Sequence, residues 1–123
     1  MLLLATMLTF TACGGDNDDE PQNSLNGTTW TSSYVDEVFV IEFNGKNGVT
    51  GFVADNNLNI KGDAYHGSYT RNGDNLTFNN FYIMNFYKFV FKKATINGST
   101  MTVDYEYKVS DKVFEDTRTF RKR

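Results

Sequence analysis

From Leu25 onward the chain alternates apolar and polar residues with a period of two, and Asn-Gly dipeptides cut that alternation into short runs. A period of two sends successive side chains to opposite faces of an extended strand, so each run offers one face for burial. Asn-Gly tolerates the positive φ values of tight hairpin turns, so Asn44-Gly45, Asn47-Gly48, Asn72-Gly73 and Asn97-Gly98 mark places where the chain doubles back. The runs cover residues 28–34, 38–43, 49–53, 64–70, 75–78, 101–107 and 113–121, and 81–96 holds one long strand or two short ones. No segment carries a convincing 3.6-residue stripe. The pattern predicts an all-β fold, an antiparallel up-and-down meander of about eight strands, closed into a small barrel because an open meander leaves unpaired edges. The one long connection, 54–63, is rich in Asn and reads as a rim loop or lid.

The first 24 residues are of a different kind. Met1 to Phe10 is apolar apart from Thr6 and Thr9, too short to span a bilayer but of the length of a signal-peptide core. The small residues Thr11 and Ala12 then precede Cys13, the only cysteine. This arrangement resembles a bacterial lipobox, which implies cleavage before Cys13 and a diacylglycerol on its sulfur. No Lys or Arg precedes the apolar run, and signal peptides begin with a basic segment, so the natural start is expected upstream. With no partner cysteine, an intrachain disulfide is excluded. Asp16, Asp18, Asp19 and Glu20 follow in a Gly-rich polar stretch that cannot bury enough apolar area to fold. They resemble the acidic export signals of surface lipoproteins in Gram-negative gut commensals; a plain solvating linker is the other reading. The expected organisation is a signal peptide over 1–12, a lipidated cysteine and acidic tether over 13–24, and a barrel domain over 25–123.

Within the barrel segment, Leu25-Asn26-Gly27-Thr28-Thr29-Trp30 opens the first strand, the hairpin from Gly67 to Phe78 turns at Asn72-Gly73, Ile96-Asn97-Gly98-Ser99-Thr100-Met101 turns later, and Phe120-Arg121 closes the chain. Together these resemble the small lipocalin-like lipoproteins of gut commensals. The resemblance implies a lipocalin-like barrel with Trp30 closing one end and a basic side chain of the last strand, Arg118 or Arg121, packed on its indole as a cation–π contact. An eight-stranded barrel is either filled by side chains or holds one small ligand. The candidate ligand-binding residues are Tyr34, Tyr65, Tyr69, Phe89, Tyr105 and Tyr107. Their phenols need hydrogen-bond partners if buried, which points to a wet interior or a polar-ended ligand, or else they reach solvent at the rim. Residues 81–91, FYIMNFYKFVF, are apolar on both faces, so the outer face is covered or forms an exposed patch.

Several classes of chemistry find little support. Four of the 15 acids and none of the 12 bases precede Leu25, so residues 25–123 carry nearly balanced charge and no nucleic-acid partner is expected. His66 is the only histidine, no metal or cofactor site is expected, and no catalytic residue is assigned. Asp104 and Glu106 alternate with Val103 and Tyr105 as on a solvated face. Asp55-x-Asn57-x-Asn59 begins like a calcium loop, but Ile60 and His66 stand where Gly and Glu are required. The expected protein is no enzyme. It is a lipoprotein held to the outer membrane through Cys13, at the cell surface or on the periplasmic face, that binds a small, partly apolar or amphipathic ligand. The alternative is a filled barrel that meets a protein or glycan through its surface and loops.

Overall fold

The computed structural model describes residues 24–123; the expected signal peptide over 1–12, Cys13 and the four acidic residues of the expected tether lie outside the described residues. The described residues form nine strands: β1 Thr29–Tyr34, β2 Glu37–Asn44, β3 Gly48–Ala54, β4 Tyr65–Asn72, β5 Asn75–Asn79, β6 Tyr82–Met84, β7 Lys88–Asn97, β8 Thr100–Val109 and β9 Lys112–Lys122. All pairings are antiparallel, and neighbours follow the chain from β1 to β5 and from β7 to β9. Two pairings close the cylinder: β1 with β9, through Trp30 opposite Lys122, and β5 with β7, through Thr77 opposite Lys93. The result is a closed eight-stranded up-and-down barrel with β6 as an extra strand bonded to β7 alone. The segment 81–96 therefore holds two strands.

Three of the Asn-Gly pairs turn as expected, with Gly45, Gly73 and Gly98 at positive φ. Asn47-Gly48 does not: Gly48 already belongs to β3 and pairs with Asn44, whose backbone oxygen lies 2.7 Å from where a Gly48 Cβ would stand. The β1–β2 turn uses Val35 at φ 56°, a left-handed conformation that β-branched residues disfavour.

One face of every barrel strand builds a single core, including Trp30, Phe39, Ile41, Phe43, Leu76, Phe91, Met101, Val103 and Phe120. The register of β7 on β8 shifts between Phe91 and Lys93, a bulge that leaves Lys92 and Lys93 both exposed while Phe91 and Ala94 stay buried. β6 completes the interior. A Cβ on Gly51 would stand 2.7 Å from the tip of the Phe81 ring and 2.8 Å from Ile83, and one on Gly67 would stand 2.8 Å from the Phe81 Cβ. The two glycines thus leave a recess in the β3–β4 wall, and Phe81 and Ile83 occupy it. Phe81 also meets Phe78 and Phe91, each at 5.3 Å between ring centres, so aromatic rings bridge the interior from wall to wall.

The connection from β3 to β4 is partly a cover for the outer wall. Leu58 and Phe52 pack on Val38, Val40 and Ala54. The Asp55 carboxylate accepts from the amides of Asn57 and Asn59 at 2.8 and 2.9 Å, which explains the Asp-x-Asn-x-Asn pattern as a side-chain-capped turn.

Candidate functional site

An up-and-down barrel puts alternate turns at opposite ends. The β1–β2, β3–β4, β6–β7 and β8–β9 connections share one end, here called the mouth; the other end holds the β2–β3, β4–β5 and β7–β8 turns. Segment 24–28 also lies at that other end, where the Gly27 amide donates to the Phe43 carbonyl and the Gly45 amide to Asn26 Oδ1. The large exposed apolar side chains of the described residues, Val35, Ile60, Met84, Phe86, Val113 and Phe114, all stand at the mouth. Phe86 is 83% exposed and Val35 87%. Placing such groups in water forfeits about 1.5–3 kcal/mol of burial each, and concentrating them at one end makes a patch rather than a scatter.

A ladder of rings runs down from this rim into the core. Phe86 lies edge-on to Tyr87 at 4.8 Å, Tyr87 meets Tyr107 at 5.5 Å, and Tyr107 stacks on Phe114 at 5.6 Å. Below them Tyr107 meets Phe89 at 5.5 Å, and Phe89 meets Phe39 at 5.3 Å and Tyr105 at 5.8 Å. Tyr34 stacks on Phe39 at 4.9 Å. Tyr34, Phe89, Tyr105 and Tyr107, four of the expected ligand residues, are therefore brought together at one mouth. Tyr65 stands apart, against Tyr82, whose ring also carries the Lys88 ammonium at 4.4 Å. Tyr69 is buried near the other end, edge-on to Phe43, and its amide donates to the Asn47 carbonyl.

Arg118 lies beneath the ladder. Its guanidinium carbon is 4.9 Å from the centre of the Tyr34 ring, 5.1 Å from Phe39 and 5.9 Å from Tyr105. Nη1 donates to the Ser33 carbonyl at 2.8 Å, and Nε is buried without an acceptor. Burial pushes the Tyr105 phenol above its ordinary value, against the pull of the Arg118 guanidinium. Across the mouth, Glu37 ties two connections together, accepting from Asn85 Nδ2 at 3.0 Å and pairing with Lys61 Nζ at 2.9 Å.

The expected stacking of a base on Trp30 is corrected. The Trp30 indole N–H donates to Thr28 Oγ1 at 3.0 Å, and the cation held among rings is Arg118, on Tyr34, Phe39 and Tyr105. Strand alternation is the reason: Arg118 shares the inward face of β9 with the buried Phe120, whereas Arg121 is exposed opposite Thr31. Sequence reading missed Phe39, Tyr87 and Phe114 as mouth residues. The exposed hairpin positions of Phe86 and Phe114 could have been found from the turn spacing.

Two of the surface cavities are well formed, and of the ladder rings only Tyr105 borders either of them. A groove of about 1010 Å3 at the end opposite the mouth runs past Leu25, Lys46, Tyr69 and Arg71. A smaller one of about 440 Å3 lies at the β7 bulge, among Lys93, Asp104, Glu106 and Glu115. There Glu106 pairs with Lys92 at 3.2 Å. His66 Nδ1 lies 3.0 Å from Thr50 Oγ1, which also accepts from Asn44 Nδ2, so the lone histidine belongs to a hydrogen-bonded row on the β2–β4 wall. Among the described residues no group of three or more His, Cys, Asp or Glu gathers as metal ligands would. The fold and the site define a small closed antiparallel barrel with an aromatic mouth. Compared with protein-family models, curated proteins and solved structures, the chain finds no match.

Proposed function

We propose that this chain is a lipid-anchored, non-catalytic binding module, in which Cys13 carries the anchor at the outer membrane and the mouth receives a small, partly apolar ligand. The observation that carries this reading is the gathering of the exposed apolar side chains at one end of the barrel, over a continuous ring ladder. Rigid aromatic side chains supply much contact area at low entropic cost, which suits recognition. The packed interior favours a shallow ligand that lies on the rings over one enclosed in a calyx. Residue 24 lies at the end opposite the mouth, so a tether running from Cys13 would turn the mouth away from the bilayer. The lipobox resemblance of the residues before Cys13 supports the anchor, and Asp16, Asp18, Asp19 and Glu20 support display at the cell surface over the periplasmic face.

The packed interior also favours a second reading, in which the same mouth and its hairpins meet a protein or glycan partner. Native mass spectrometry of the chain from several hosts, before and after unfolding, tests the first. The expected result is a reproducible added mass that leaves on unfolding. A bare chain from every host would move the assignment to the second reading.

A further inference from the structure

Arg118 is a cation with an unmet electrostatic requirement. It is part-buried, and among the described residues it forms no ion pair. Asp116, two residues before it on β9, spends a carboxylate oxygen on the amide of Thr117. The guanidinium donates to the neutral Ser33 carbonyl and hydrogen-bonds the neutral Tyr105 phenol, while the buried Nε has no acceptor. A buried donor left unmade costs about 1–3 kcal/mol, and a charged one more. Ring faces and the Tyr105 hydroxyl compensate in part, because an aromatic quadrupole attracts a cation and the phenol oxygen accepts an N–H, but none of these partners carries the negative charge that would balance the guanidinium. Guanidinium N–H groups form a planar fork that matches a carboxylate, so the missing partner has a definite chemistry.

We propose that the mouth selects an amphipathic carboxylate, with an apolar body against the rim rings of Tyr87, Tyr107 and Phe114 and an anionic head answered by Arg118. This rests on the mouth being the binding site. It adds that charge on the ligand, and not apolar area alone, decides what is retained. Two neighbouring cations are already engaged, Lys88 over Tyr82 and Lys61 with Glu37, and the remaining one on the Arg118 face of β9, Lys112, stands exposed at the hairpin tip beyond Phe114.

The test uses the full chain and a matched pair of probes, 2-naphthoate and its neutral amide, with binding followed by calorimetry and by the ring resonances of Tyr107 and Phe114. The expected result is that the carboxylate binds tighter by about tenfold or more, the scale of a charge-assisted hydrogen bond. Arg118→Met, which keeps an apolar stem among the rings, should abolish the difference and leave amide binding in place. Arg118→Lys, which keeps the charge, is the second variant should Arg118→Met not fold, and it should retain part of the preference. Equal binding of both probes by the wild-type chain overturns the carboxylate proposal and leaves the mouth standing. A preference undiminished in Arg118→Met, or in Arg118→Lys if only that variant folds, assigns the anion to another cation and also overturns it. Binding of neither probe at the mouth resonances overturns the carboxylate proposal together with the small-ligand reading of the mouth.

Discussion

Gly67 shows how a missing side chain positions a site. Its strand neighbours Tyr65 and Tyr69 carry large rings, yet a Cβ here would stand 3.0 Å from the Asn80 carbonyl oxygen and 2.8 Å from the Phe81 Cβ. The obstacle is largely backbone, which cannot rotate away as a side chain does. Gly67→Ala is therefore expected to destabilise the barrel by about 1–3 kcal/mol, the usual cost of overpacking, read as a lowered urea midpoint with unchanged slope. An unchanged midpoint would mean that β6 is not held against this wall. Arg118 is the complementary case, a residue whose chemistry comes from what it lacks. Both residues were visible in the sequence, but their roles depend on segments distant along the chain.

Among the elements, the β3–β4 connection and the β6–β7 hairpin are linked through Glu37. Hydrogen bonding to the Lys61 ammonium holds the Glu37 carboxyl below its ordinary value, against the opposing effect of burial and with help from the Asn85 amide. The same hydrogen bond raises Lys61. The depressed carboxyl contributes stability that is complete above its unfolded value and is lost as pH falls through the folded one. The raised amine contributes stability that is complete below its unfolded value and is lost as pH rises through the folded one. The strap is thus intact across the neutral range and releases at both extremes. Titration monitored at the Asn85 side-chain amide should show an acid step below the ordinary glutamate range, absent in Glu37→Gln. A step within or above that range would remove the strap from the account.

At the scale of the whole molecule, the barrel has two unlike ends. One holds segment 24–28 and the open groove; the other holds the exposed apolar rim. That polarity gives a tethered module a direction, and its value depends on the anchor. Cys13→Ala is expected to move the protein from the membrane fraction to the soluble one on cell fractionation, with the barrel intact by circular dichroism. Continued sedimentation with membranes would refute the lipid anchor and, with it, the argument from orientation.

Local chemistry carried the fold class. Period-two alternation and three Asn-Gly turns act over a few residues, so the sequence by itself determined an antiparallel meander, and the cost of open edges made closure the expected outcome. The inward set Phe39, Ile41 and Phe43 was legible for the same reason, since side-chain direction alternates along any strand. The doubly apolar segment 81–91 announced that something unusual happened there, without saying what. Only the tertiary structure decided that β6 leaves the wall and leans on Gly51 and Gly67, that a bulge rephases β7, and that Arg118 faces Tyr34, Phe39 and Tyr105. These outcomes depend on registers between strands far apart in the chain. A register is a property of two strands and the closure around them, and no local pattern encodes it.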